Sequence, residues 1–112
     1  MKTNQLTGHA LNWAVSQVEG IDHDTAILNI TIGDDNGWFL DYLTWAQGGP
    51  IIEREWIEIC RLNNGEWRGQ WYEQATEKIH REYGDTPLIA AMRCYVASKL
   101  GNEVEIPKEL GE

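Results

Sequence analysis

The stretch from Thr86 to Gly101, TPLIAAMRCYVASKLG, constrains this chain more than any other. Thr86 is a helix N-cap residue, and Pro87 stands at the first helical position, where a missing N–H costs nothing. Gly101 is a stop signal, and Lys99 suits the negative end of the helix dipole. Between them Leu88, Ala91, Met92, Tyr95 and Val96 form one apolar stripe at helical spacing. Such a stripe has to be buried against another layer, so the remaining residues must build one.

A second helix is expected at the start. Thr7 serves as its N-cap, and Leu6 and Leu11 fit a hydrophobic staple. Leu11, Ala14, Val15 and Val18 make its stripe, and Gly20 ends it. Trp13 falls on the far side and needs cover from another element. The sheet is expected from four runs. Ala26 to Ile32 alternates and reads as a strand, followed by the turn GDDNG. Trp38 to Trp45 reads as a second strand with aromatics on both faces, which Gly48, Gly49 and Pro50 interrupt. Trp56 to Leu62 is a third. Asn63, Asn64 and Gly65 turn the chain into a fourth, with Trp67, Gly69 and Trp71 on one face and Arg68, Gln70 and Tyr72 on the other. The run EQATEKIHREYG is polar, with Ala75, Ile79 and Tyr83 at helical spacing, and reads as a short surface helix or a loop insertion. The tail is expected to lie along the body through Val104 and Ile106. The fold class is therefore α+β: a small, mainly antiparallel sheet of about four strands, with an N-terminal and a C-terminal helix packed on it. The 112 residues suit a single domain, 1–112.

A net charge of −9 repels phosphate backbones, so no direct nucleic-acid binding is expected. Solubility accounts for that charge, and so does attraction to a basic partner; the acidic residues are spread along the chain rather than gathered in a block. Cys60 and Cys94 share no metal-ligand spacing and read as two buried, reduced thiols. No signal-peptide pattern and no membrane-length apolar run is present, which points away from a membrane partner. Six Trp and four Tyr are many for this length. A small domain buries so many rings with difficulty, so a pocket or a homo-oligomer surface is expected.

Three stretches, LTGHALNWAV, WAQGGPIIERE and TPLIAAMRCYVASKLGNEVEIPKEL, resemble the NinX-like family of tailed phages and prophages, a domain without an assigned function. Together they touch most of the chain; residues from Glu73 to Tyr83 carry least of the likeness. The resemblance implies a small phage accessory protein at work in the cytoplasm of the infected bacterial host. It implies no activity. A smaller likeness, the Trp45-x-Gln47 run with its following isoleucine and acidic approach to a strand, is similar to phage proteins that sequester nucleotide-derived immune signals.

The segment from Trp45 to Arg54 carries the chief candidate site. Gly48 and Gly49 let a ligand approach the backbone, and Pro50 starts a short helix whose free N–H groups favour an anion. Arg54 supplies a planar cation, Trp45 or Trp71 a stacking surface, and Gln47 a reader of polar edges. The plainer alternative is a tight turn with a buried Trp and with Arg54 paired to Glu53 or Glu55. Thr86 and Arg93 form a lesser candidate: a helix start and a cation near a pocket edge, against an ordinary cap and an ordinary ion pair. His9, His23 and His80 have no catalytic motif around them, Asp22, His23 and Asp24 read as a solvated turn rather than a metal corner, and no phosphate-binding glycine signature occurs. The expectation is a protein that is not an enzyme, with no cofactor and no metal. It binds a nucleotide-derived small molecule as a homo-oligomer or, alternatively, docks its acidic surface on a basic nucleic-acid enzyme of host or phage.

Overall fold

A computed structural model describes residues 1–33 and 39–110. Within them lie helices α1 (Gly8–Val18), α2 (His23–Thr31), α3 (Trp45–Glu55) and α4 (Pro87–Leu100), and strands β1 (Glu58–Arg61), β2 (Trp67–Glu73) and β3 (Lys78–Gly84). The strands form an antiparallel sheet in the order β1-β2-β3. The architecture is α+β, with helices near both ends packed around a small sheet, as the sequence indicates. Which runs form the sheet differs.

Helix α4 is the centre of the molecule. Leu88, Ala91, Met92, Tyr95 and Val96 are buried as expected, and so are Ala90 and Cys94. Its sides are covered because the sheet lies against it and α1 and α3 pack on it as well. An apolar surface all round is what such a position requires. The sheet comes close because Gly69 presents no side chain to the helix: a Cβ there would meet Ala90 O at 2.7 Å and Ala91 Cα at 2.9 Å. Thr86 Oγ1 accepts from Ile89 N at 3.1 Å and starts the helix.

Helix α1 also follows the reading. Leu6 and Leu11 are fully buried, and the Gly20 and Ile21 amides donate to Gln17 O and Ser16 O, closing its end. Thr7 has the N-cap backbone conformation but makes no side-chain cap bond. Trp13 is covered from within the chain: its Nε1 donates to His23 Nδ1 at 3.4 Å, and the two rings meet edge-on. Val104 is buried and Ile106 packs on the core. The tail is held because Met1 and Val104 exchange hydrogen bonds and Thr3 bonds Gly101 and Asn102.

Six expectations need correction. Ala26 to Ile32 belongs to helix α2 rather than a strand. Asp22 caps it by accepting from Thr25 N, and Ala26 and Ile30 are buried while Leu28 and Ile32 are exposed. A spacing of four suits a helix face, and the apparent alternation was a coincidence of the same residues. Residues 39–43 form no strand, because side chains replace a ladder. Tyr42 N donates to Asn12 Oδ1, Asp41 N donates to Gln47 Oε1, and Gln47 Nε2 donates to Phe39 O. The expected GDDNG turn and Trp38 fall on residues 34–38, outside those described.

Gly48, Gly49 and Pro50 lie inside α3 rather than in a turn. Gly49 has no Cβ to clash with the following proline ring, which lets the helix run through Pro50. Finally, β3 occupies the stretch read as a helix or an insertion. Ile79, Arg81 and Tyr83 alternate with His80 and Glu82 across it, a polar alternation that suits a strand covered on one side only. Strand β1 is shorter than read, since Trp56 caps α3, and Cys60 is exposed rather than buried.

Gly48 tests this packing. A Cβ there would lie 2.2 Å from Tyr42 O and 2.7 Å from Leu88 Cδ2. Gly48→Ala should cost roughly 1–3 kcal/mol of unfolding free energy by overpacking, read from urea denaturation. An unchanged midpoint would contradict the close approach of α3 to its preceding loop.

Candidate functional site

The residues expected to form a site separate in the structure. Gln47 is used up in bonds to Asp41 and Phe39. Gly48 and Gly49 face the molecule's own atoms: a Cβ on Gly48 would meet Tyr42 and Leu88, and one on Gly49 would stand 3.8 Å from the Trp45 ring. Pro50 sits mid-helix, so no fan of free N–H groups opens at it. Trp45 is exposed at the start of α3. Thr86 is a plain cap. Arg93 staples the N-terminal segment to the sheet, with Nε donating to Leu6 O at 2.8 Å and Nη1 to Tyr83 O at 2.7 Å. It also borders a cavity with Glu66, Arg81 and Tyr83. Burial lowers its pKa, and nearby Asp85, Glu82 and Glu66 oppose that.

Arg54 and Trp71 do share a place. A groove of about 630 Å³ opens between the end of α3 and the sheet, lined by Arg54, Glu55, Trp56, Glu58, Trp71 and Tyr72. Its chemistry is set by what Arg54 is already doing. Nη1 and Nη2 donate to the two Glu19 oxygens at 3.2 and 2.7 Å, Nε donates to Glu55 Oε2 at 2.9 Å, and Nη2 also donates to Tyr95 Oη at 3.0 Å. Tyr95 Oη in turn donates to Glu19 Oε2 at 2.5 Å. A guanidinium has five N–H bonds, so among the described residues one on Nη1 is left without a partner. Arg54 is thus a structural tie between α1, α3 and α4. The plainer reading of the sequence foresaw its partner Glu55 but not Glu19, which lies 35 residues earlier.

Burial pushes Glu19 upward, but hydrogen bonds from Arg54 and Tyr95 outweigh it, and the carboxyl titrates below its ordinary 4.5. Bonds to Glu19 and Glu55 push Arg54 further up. Burial and the hydrogen bond to Glu19 raise Tyr95.

Around this tie the groove is aromatic and carboxylic. Trp56 caps α3 in the left-handed conformation, at φ 58° and ψ 43°, and its side chain is 84% exposed. Sequence reading placed it at the start of a strand and missed it. A left-handed non-glycine residue costs about 1–2 kcal/mol, and exposing an indole forgoes its burial. The neighbouring Ile57 is buried, so the cap throws Trp56 outward as the chain enters β1. Trp71 carries Lys99 Nζ at 4.4 Å from its ring centre and packs obliquely on His80. Glu55 is shared between Arg54 and Lys99. Glu58 has no ion-pair partner among the described residues; Gln70 Nε2 approaches it at 3.4 Å. The groove therefore offers rings and carboxylate edges, and suits a flat or cationic group better than an anion.

Among the described residues no group of three or more His, Cys, Asp and Glu is placed to hold a metal ion. Likewise, no helix among them is long and apolar enough to cross a membrane. The profile of a family described as Bacteriophage P22, NinX matches residues 2–99, most of the chain. No curated protein matches it.

The Glu19 carboxylate gives a pH prediction. Its folded pKa is depressed, so its stabilisation is present above the unfolded value and is lost as pH falls through 4.5 and below. Glu19→Gln should lose roughly 1–2 kcal/mol at neutral pH, a modest figure because Arg54 is half-exposed, and should flatten the acid limb of the stability curve. Thermal unfolding from pH 7 to 3 reads both, and a variant with the wild-type acid limb would remove Glu19 from the account.

Proposed function

The chain belongs to the phage NinX family, and from that premise we propose that it acts by binding, without turnover, holding a basic segment of a host or phage protein in the Trp56 groove. Trp56 carries this reading: among the described residues it is at once the most exposed of the large apolar side chains and held in a strained backbone conformation. Strain and exposure together persist where a contact outside the chain repays them. Trp is also the residue type most enriched at interface hot spots.

The partner's chemistry follows from the groove. An arginine or lysine side chain stacks on Trp56 and Tyr72 and meets the Glu58 carboxylate. Net charge of −9 adds long-range attraction for a basic partner and repels polyanions. The setting that accompanies this reading is the cytoplasm of an infected bacterium, with a basic nucleic-acid enzyme as the partner.

A second reading, sequestration of a nucleotide-derived host signal, draws on one observation. Arg54 is anchored and still has one N–H on Nη1 without a partner among the described residues, beside rings able to stack on a base. In it the base fills the groove and the phosphates stay in solvent, away from Glu55 and Glu58.

Tryptophan fluorescence titration separates the two. An arginine-rich peptide should quench the signal with an affinity that falls steeply as salt rises, and Trp56→Ala should weaken it roughly thirtyfold, about 2 kcal/mol. Saturable binding of ADP-ribose or a cyclic dinucleotide, with no response to the peptide, would overturn the first reading in favour of the second. No response to either would remove both.

A further inference from the structure

The sheet has a second face, and among the described residues the one helix packed on the sheet, α4, lies on the other. Gly69 marks the side turned to α4, so the residues of opposite parity point away from the helix. The register places Cys60, Arg68 and Tyr83 in one row across the strands, Glu58, Gln70 and Arg81 in the next, and Tyr72 beside Ile79 in the third. Tyr72, Ile79 and Tyr83 are 48%, 52% and 42% exposed. The middle row is tied flat, with Arg81 Nε donating to Gln70 Oε1 at 2.6 Å and Gln70 Nε2 reaching toward Glu58.

We propose that this face is the contact between two copies of the chain, packed sheet on sheet. Three observations select a second copy. First, on a chain of net charge −9 this face carries two arginines and one glutamate, so two copies meet there without the repulsion of an acidic surface. Second, its composition complements itself. A two-fold axis parallel to the strands, running between β2 and β3, sets Arg68 of one copy over Tyr83 of the other, and Tyr72 against Ile79. Cation and ring, and ring and branched chain, are favourable pairs. Third, the face is continuous with the Trp56 groove through Tyr72, which belongs to both. Sheet-on-sheet packing about 10 Å apart at roughly −30° would give the open groove a wall from the second copy. The inference stands whatever ligand fills the groove.

Sedimentation equilibrium of the full chain, from micromolar to near-millimolar concentration, tests this. Wild type should approach twice the monomer mass. Ile79→Glu and Tyr83→Glu should each raise the dissociation constant at least tenfold. Ile32→Glu, at the exposed apolar C-cap of α2, should leave it unchanged. Circular dichroism separates loss of contact from loss of fold, and Tyr83→Phe, which keeps the ring, should still associate. A wild-type chain that stays monomeric over the whole range overturns the proposal. So does a dimer that survives both glutamate variants, because its contact then lies elsewhere.

Discussion

The bonds that Arg54 makes to Glu19, Tyr95 and Glu55 decide what the rest of the surface is able to do. They join three helices at one point and leave the lone cation of the segment with a single N–H to offer. An arginine meant to receive a phosphate would be poorly served by two carboxylates at hydrogen-bond distance, since they cancel its charge locally. The same tie fixes the end of α3, and so fixes where Trp56 is presented. Structure and electrostatics at the groove thus have one origin.

Packing sets the remaining geometry. Helix α4 is buried on nearly every side, and the chain reaches it through positions without side chains, at Gly48 from α3 and at Gly69 from the sheet. That closeness covers much of one face of the sheet. Among the described residues the sheet has three strands, and its other face leaves Tyr72, Ile79 and Tyr83 exposed. The aromatic excess is therefore divided. Trp13 and Trp71 are partly buried against the core, while Trp45, Trp56, Tyr72 and Tyr83 stand outside it. The exposed set gathers in large part around the groove and the open sheet face.

Sequence patterns revealed the elements whose signals agree with one another. Helix α4 has cap, proline, stripe and stop in order, and the β1–β2 hairpin has Asn63, Asn64 and Gly65 between its strands. They misled where one residue set satisfied two patterns. Ala26 and Ile30 fit a strand face and a helix face equally, and the Asp22 cap that decides the matter lies just outside the alternating run. Gly48, Gly49 and Pro50 looked like a turn because their local chemistry is turn chemistry. Their reason is tertiary: the first touches Tyr42 and Leu88, which no local reading reveals. For the site, Arg54 and Trp71 were legible as residue types near a ligand. The Arg54 partner Glu55 was legible too, but Glu19 and Tyr95 were not, since they arrive from distant parts of the chain. Trp56 was visible only as one more indole, because its left-handed backbone has no signature in a side chain that rarely adopts it.

A double-mutant cycle on stability tests the central claim, that Arg54 is a structural tie rather than a receptor for ligand. Arg54→Gln and Glu19→Gln would be made singly and together, and their unfolding free energies compared. The account predicts a coupling of about 1–2 kcal/mol, in keeping with a double hydrogen-bonded pair at a half-exposed site. Strict additivity of the two substitutions would show Arg54 to be energetically free, and would contradict the account.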